Sequence, residues 1–383
     1  MTARAHQLLD LGQSVWLDFI RRGHLLDGGF DRDVNDAGVV GVTSNPTIFQ
    51  QAIAGSHDYD AALAAGIAQG LEGEPLFEAM AIGDIQMACD KMHARYQLSN
   101  GMDGRVSLEV SPRLARDTAG TSAAAKRLFA AVSRANVMIK IPATSEGLPA
   151  ITATLAAGIS VNVTLIFSVA RYREVMDAWL TGLEQCAAAG GSLAQIRSVA
   201  SFFVSRVDSK IDAAIDARLA TLPAGSTEHT ELSGLKGKAA VANARLAYEA
   251  YDAMLATPRW KALAAQGAHV QRPLWASTST KNPTYRDVLY VEELIGPDTV
   301  NTMPPATLVA FNDHGVVESR IRNDVAGAHR TFARLTELGI PVATLIDQLE
   351  PEGVKSFEKS YEDLLGTLES RRKELVAQRG TAR

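Results

Sequence analysis

Residues 136–167 read NVMIKIPATSEGLPAITATLAAGISVNVTLIF. Two runs rich in Val and Ile, NVMIKIP (136–142) and ISVNVTLIF (159–167), flank a longer stretch bounded by turn residues, the pattern of a strand, a crossover helix and a second parallel strand. Working outward in both directions, similar runs recur at SVWLDFI (14–20), GVVGVTSN (38–45), RVSLEVS (105–111), SVASFFVSR (198–206), RPLWAST (272–278) and TVNTM (299–303). Helical spacing of small and apolar residues separates them, as in 123–135, 168–190 and 236–255. Eight such strands alternating with helices predict a (β/α)8 TIM barrel, whose strands are covered by helices and so read as nearly continuous apolar runs. An open doubly wound sheet is the competitor. Its Gly-rich turn after the first strand is missing, because Asp18, Phe19, Ile20 and Arg21 stand there. No linker or repeat divides the chain, so one domain is expected over 1–383, with a polar loop at 223–235 and a final amphipathic helix at 356–378.

Composition narrows the function. The 383 residues are 46% hydrophobic and 21% charged, enough to bury a large core. A net charge of −5 without a long basic run gives no electrostatic footprint for nucleic acid or an anionic membrane. The absence of a secretory leader or a long apolar span leads to the expectation of a cytoplasmic protein. Two cysteines, Cys89 and Cys186, form neither a disulfide framework nor a four-ligand metal site, and the eight histidines show no ligand spacing. No metal or cofactor is expected. The 6% aromatic content is low for so large a core.

Strand parity locates the chemistry. In a barrel strand alternate side chains point inward. In NVMIKIP the outward set is Val137, Ile139 and Ile141, which sends Lys140 and Met138 inside. In RVSLEVS, Val106, Leu108 and Val110 leave Ser107, Glu109 and Ser111 inward. Asp18 has the parity opposite to Val15, Leu17 and Phe19. Asn162 and Thr164 oppose Ile159, Val161, Val163 and Leu165.

A charge inside a barrel needs partners. At the ordinary lysine pKa of about 10.4, roughly one side chain in a few thousand is neutral at pH 7, whereas attack on a carbonyl needs the neutral amine. Desolvation favours that form. An interior lysine beside carboxylates therefore reads as a Schiff-base site, with a carboxylate and a hydroxyl moving protons through water. The residues alone equally allow a structural ion-pair network of Lys140, Glu109 and Asp18.

VTSNPT (42–47), VSLEVSPRLARD (106–117), IKIPATSEGLPAI (139–151) and ISVNVTLIFSVARY (159–172) resemble the transaldolases, and the likeness runs from about Ser14 to about Pro305. The chain length and the KNP-Y element after strand seven resemble the longer bacterial branch. The resemblance implies a class I, metal-free (β/α)8 enzyme that moves a dihydroxyacetone unit from sedoheptulose 7-phosphate to glyceraldehyde 3-phosphate, giving erythrose 4-phosphate and fructose 6-phosphate, in the non-oxidative pentose phosphate pathway. It implies Lys140 as the Schiff-base lysine, Glu109 and Thr164 as the pair holding the catalytic water, and Asp18 as the carboxylate serving the C4 hydroxyl. Asn45 and Asn162 match the amides that bind dihydroxyacetone hydroxyls. Ser201 and Phe203 match residues that line the pocket, and Arg206 matches a phosphate-binding arginine.

After strand seven the chain departs from the better-known pattern. Ser279 stands where a second arginine is usual, so Lys281 is expected to supply that charge, with Ser277 and Ser279 donating hydrogen bonds. Asn45 also reads as a turn former before Pro46, and Arg206 and Lys281 also read as surface charges. The alternatives in function are an aldolase that releases free dihydroxyacetone, a non-catalytic sugar-phosphate-binding barrel, and a dehydrogenase, which the missing glycine fingerprint disfavours. Monomer and homodimer are both compatible with the sequence.

Overall fold

The computed structural model describes residues 3–381. Eight parallel strands close into a barrel in sequence order: β1 (Gln13–Asp18), β2 (Gly41–Thr43), β3 (Arg105–Glu109), β4 (Val137–Pro142), β5 (Val161–Ile166), β6 (Ser198–Phe203), β7 (Gln271–Ala276) and β8 (Thr299–Met303), with β1 pairing to both β2 and β8. All eight predicted runs are strands, and helices cover them, which makes the fold a (β/α)8 barrel.

Two interior details follow from residue size and parity. Gly41 faces Trp16, and a Cβ built there would lie 2.5 Å from the indole nitrogen, so the glycine makes room for a fully buried tryptophan. The strand β2 spans only three residues of the expected eight-residue run, because Asn45 caps the following helix and Pro46 begins it.

The amino-terminal floor of the barrel is filled by charge. Arg272 donates to Ser14 Oγ (2.7 Å) and Met102 O (2.9 Å) and pairs with Asp103 (3.2 Å). Arg105, 1% exposed, donates to Gly101 O at 2.8 Å. Burial first, with Arg197 and Arg272 adding repulsion, pushes the Arg105 guanidinium down to about 10.

The chain's last helix, Leu349–Thr381, lies over the other end. It begins earlier than the apolar periodicity indicated, since Pro351 falls in its first turn, where a missing N–H costs nothing. Val354, Phe357, Tyr361, Leu364 and Leu368 recur every three or four residues and are all at most 5% exposed. Such burial contributes about 1.5–3 kcal/mol per large side chain. Ion pairs add orientation more than energy: Arg113 with Glu362 (2.7 Å), Arg116 with Glu350 (3.0 Å), and Lys210 with Glu352. The polar 223–235 stretch, expected as a loop, contains a short helix, Thr227–Ser233; Ser226 caps it by accepting from His229 N, and it buries Leu232.

Candidate active site

Asp18, Glu109, Lys140, Thr164 and Phe203 lie at or near the carboxyl ends of their strands, the end at which (β/α)8 enzymes carry their chemistry. A cavity of about 310 Å³ opens there. Its wall includes Asp18, Asn45, Lys140, Ser201, Phe203, Arg206, Ser277, Ser279 and Lys281 from the sequence reading. Glu109, Asn162 and Thr164 are not on that wall.

Lys140 rises from the floor with its side chain 5% exposed. Its Nζ donates to Ser44 O at 3.1 Å and lies 3.2 Å from Glu109 Oε2. That second approach is an ion-pair distance without hydrogen-bond alignment, so Oε2 is buried with no directional partner among the described residues. Burial raises the Glu109 carboxyl above its ordinary value; Lys140 pulls it back and Asp18 adds to the rise. Glu109 also borders a small neighbouring hollow of about 20 Å³, lined by Ser44, Asn45 and Ser111 among others. That is room for about one water.

On the other side of the floor Thr43 Oγ1 donates to Asp18 Oδ1 at 2.7 Å and lies 2.6 Å from Thr302 Oγ1. Burial raises the Asp18 carboxyl, against the attraction of Lys140, the Thr43 hydrogen bond, and the more distant Lys281 and Arg206. Asp18 and Glu109 are thus both biased toward holding a proton, which fits groups that give and take protons rather than fixed counter-ions.

Asn162 joins two strands through its amide: Nδ2 donates to Ser107 Oγ (3.1 Å), and Oδ1 accepts from Ser201 Oγ (2.7 Å). Thr164 is fully buried and its hydroxyl has no partner among the described residues. Immediately after it Leu165 adopts φ +59, and the β5–β6 register shifts between Val163 and Ile166. A bulge of this kind re-aims side chains beside a site and stores strain there. Asn45 does serve as a cap, accepting from Ile48 N at 2.9 Å, but its Nδ2 makes no hydrogen bond among the described residues and stays available at the cavity wall.

The rim is cationic. Arg206 stacks over Phe203 at 5.2 Å and has no hydrogen bond or ion pair among the described residues; burial and then Asp18 act on it in opposite directions, with a net lowering of its pKa. Lys281 Nζ donates to Ser279 Oγ (2.8 Å) and meets no carboxylate at ion-pair distance; burial and Arg206 lower its pKa. Two cations without an ion-pair partner in one cavity present the positive charge and donors that a dianion such as phosphate would require. Ser277, at φ +57, lies on the cavity wall and shares a hydrogen bond with Ser205 Oγ (2.9 Å) in which either hydroxyl can donate.

The wall also holds residues that the sequence reading did not single out: Thr43, Gln51, Thr302 and Phe357. Thr43 and Thr302 both face inward on β2 and β8; alternation against Val42 could have found Thr43, but Thr302 is in phase with Val300 and gives no such signal. Phe357 arrives from the last helix, and no local pattern connects it to the barrel. Away from the site, Cys89 and Cys186 are buried free thiols, and burial pushes Cys89 up to about 12, far from reactivity. Among the described residues no three His, Cys, Asp or Glu side chains cluster as a metal site, and no helix is long and apolar enough to cross a membrane.

Comparison with known proteins identifies the family. Residues 15–368 match the transaldolase/fructose-6-phosphate aldolase family. A transaldolase of Parafrankia sp. is 53% identical over 93% of this chain and 95% of its own length. Transaldolase 1 of Streptomyces coelicolor is 52% identical over 96% and 94%, and transaldolase 2 of Nostoc sp. is 45% identical over 95% and 96%.

Proposed function

The chain belongs to the transaldolase/fructose-6-phosphate aldolase family and is an enzyme of the transaldolase kind, and from that premise we propose that Lys140 is its Schiff-base nucleophile. The observation that carries this reading is a buried primary amine 3.2 Å from a buried carboxyl whose pKa is raised, at the floor of a cavity rimmed by two unpaired cations.

In this reading the ketose phosphate enters with its phosphate toward Arg206 and Lys281 and its carbonyl toward Lys140. The neutral amine adds to C2. Glu109 then delivers a proton to the departing hydroxyl, which leaves as water, and the imine forms. Thr164, with its unengaged hydroxyl, and Glu109 hold the water that serves this step. Asp18 takes the proton from the C4 hydroxyl as the C3–C4 bond breaks, and the electron pair passes into the imine to give an enamine. The first aldose phosphate departs. An acceptor aldehyde is attacked by C3, its oxygen takes the proton from Asp18, and water hydrolyses the new imine to restore Lys140. Asn45 Nδ2 and the Asn162–Ser201 pair bind the hydroxyls of the three-carbon unit. On this reading the donor is sedoheptulose 7-phosphate and the acceptor glyceraldehyde 3-phosphate, each with one phosphate for the rim cations, and the reaction belongs to the non-oxidative pentose phosphate pathway.

Borohydride added with the donor should reduce the imine and add the mass of a dihydroxyacetone adduct at Lys140. Lys140→Ala should neither trap nor turn over; normal turnover by that variant would overturn the mechanism. The family's description names an aldolase as well as a transferase. Measuring free dihydroxyacetone with and without an aldose phosphate acceptor separates the two.

A further inference from the structure

We propose that Phe357, on the helix that roofs the barrel, governs whether the three-carbon unit held on Lys140 passes to an aldose or is released to water. The inference rests on the Schiff-base reading above.

Phe357 is 4% exposed, lines the cavity, and has its ring centroid 5.9 Å from Lys140 Nζ. The ring is held there from several sides. Tyr361, one turn further on, meets Phe77 edge-on at 5.6 Å, and Ser360 accepts from Thr47 Oγ1 at 2.8 Å. One turn earlier, Gly353 lets the helix settle close to the barrel: a Cβ there would lie 3.0 Å from Leu165 Cδ2 and 3.6 Å from an Arg206 nitrogen. Glu352 and Glu350 then tie the start of the helix to Lys210 and Arg116. The aromatic wall is therefore positioned against the same strained strand end and the same phosphate-facing arginine that build the site.

Once the first aldose has left, the enamine has two exits. In transfer, C3 forms a bond to the acceptor's carbonyl carbon, and that oxygen takes a proton. In release, C3 takes a proton from water instead; the resulting iminium adds water at C2, the C2–N bond breaks, and dihydroxyacetone leaves with Lys140 restored. Both exits end in imine hydrolysis, so the choice is made at C3, while the acceptor position is empty. A phenyl ring beside the amine occupies volume that water would otherwise fill, and it donates no proton. Its face also supports the cationic iminium, at the outer limit of a cation–π contact of about 6 Å. The ring therefore favours waiting for the acceptor over quenching.

The test is the product ratio, free dihydroxyacetone against transferred product, for wild type, Phe357→Ala and Phe357→Leu at one fixed acceptor concentration. Removal of the ring in Phe357→Ala should raise the ratio about tenfold, which corresponds to about 1.4 kcal/mol between the two exits. Phe357→Leu, which keeps apolar bulk, should recover most of the wild-type ratio. A ratio does not depend on how much of a preparation is folded. If the ratio is unchanged in Phe357→Ala while both rates fall together, the residue only holds the roof and the proposal is wrong. Borohydride trapping run in parallel distinguishes the deeper failure: if wild type gains no adduct at Lys140, the Schiff-base reading falls and takes this inference with it.

Discussion

Glu109 and Lys140 occupy paired positions on β3 and β4, and that register alone brings Oε2 to 3.2 Å from Nζ inside the barrel. Because burial outweighs the attraction of Lys140, Glu109 keeps its proton to higher pH than an ordinary glutamate. It can therefore act as the acid that expels water from the carbinolamine. Glu109→Gln should lower kcat by about 10²–10⁴-fold. Imine formation should become the slow step, visible as slower borohydride trapping at Lys140. The wild-type rate should also decline as pH rises through the raised Glu109 value, and the variant should lack that limb. A variant with wild-type trapping speed would remove Glu109 from the proton path.

Asp18 gives a prediction about stability. Its folded-state pKa lies above 3.8, its ordinary value, because of burial. Between 3.8 and the raised value the native state binds more protons than the unfolded chain, so stability falls as pH rises through that window. Above it the ionised carboxylate carries a constant penalty. Asp18→Asn has no such titration. The variant should melt at nearly the wild-type temperature at the acid end of the window and at a higher temperature at pH 8, while losing activity. Thermal melts across a pH series check this, and a gap that shrinks as pH rises would contradict it.

The two rim cations belong to different parts of the chain, and besides the Ser205–Ser277 bond a side-chain hydrogen bond further along ties those parts together. Tyr285 Oη donates to Asp212 Oδ2 at 2.6 Å, and Asp212 lies on the helix Ser205–Leu219 that Arg206 helps to begin. Asp212 Oδ1 in turn accepts from Gly237 N at 3.0 Å, and Gly237, at φ +70, leaves space for the Tyr285 ring. Tyr285 thus anchors the loop that carries Lys281. Hydrogen bonds to a charged acceptor contribute about 1.5–3 kcal/mol. Tyr285→Phe should raise KM for a phosphorylated donor several-fold with kcat nearly unchanged. Steady-state kinetics would show the split, and an equal fall in both constants would mean that the loop does more than position the cation.

How much of this was legible in the sequence depends on the range over which each residue acts. Lys140, Glu109 and Asp18 could be read because alternation along a strand is a local rule: a polar residue out of phase with Val, Leu and Ile must face the interior. Thr43, out of phase with Val42, obeys the same rule and was within reach, whereas Thr302 shares its parity with Val300 and breaks it, because there an apolar side chain also faces the interior. At Thr164 the parity was readable, but the bulge at Leu165 that re-aims the strand end was not, since it arises from pairing with β6. Asn-Pro marked a turn at Asn45; that the residue caps a helix came from the structure, and its place on the cavity wall needed the closed barrel. Phe357 is the extreme case. The amphipathic stripe of the last helix announces that one face is buried, but what it is buried against depends on a contact spanning most of the barrel's length in sequence.

The arginine-filled floor has a kinetic meaning. Arg105 and Arg272 fill the amino-terminal end, and the cavity lies at the carboxyl end under Phe357 of the last helix, so the site is approached from that end. In the Schiff-base reading the incoming aldose bonds to C3, the carbon from which the outgoing one has just been cut, so both need the same space above Lys140. On that reading the first product has to leave before the acceptor can bind, and the reaction should follow a two-stroke, ping-pong order. At high concentration each aldose should obstruct entry of the donor as well as serve as a partner for the covalent intermediate. The buried arginines close off the far end, so donor, product and acceptor all have to use the side of the barrel that the last helix covers.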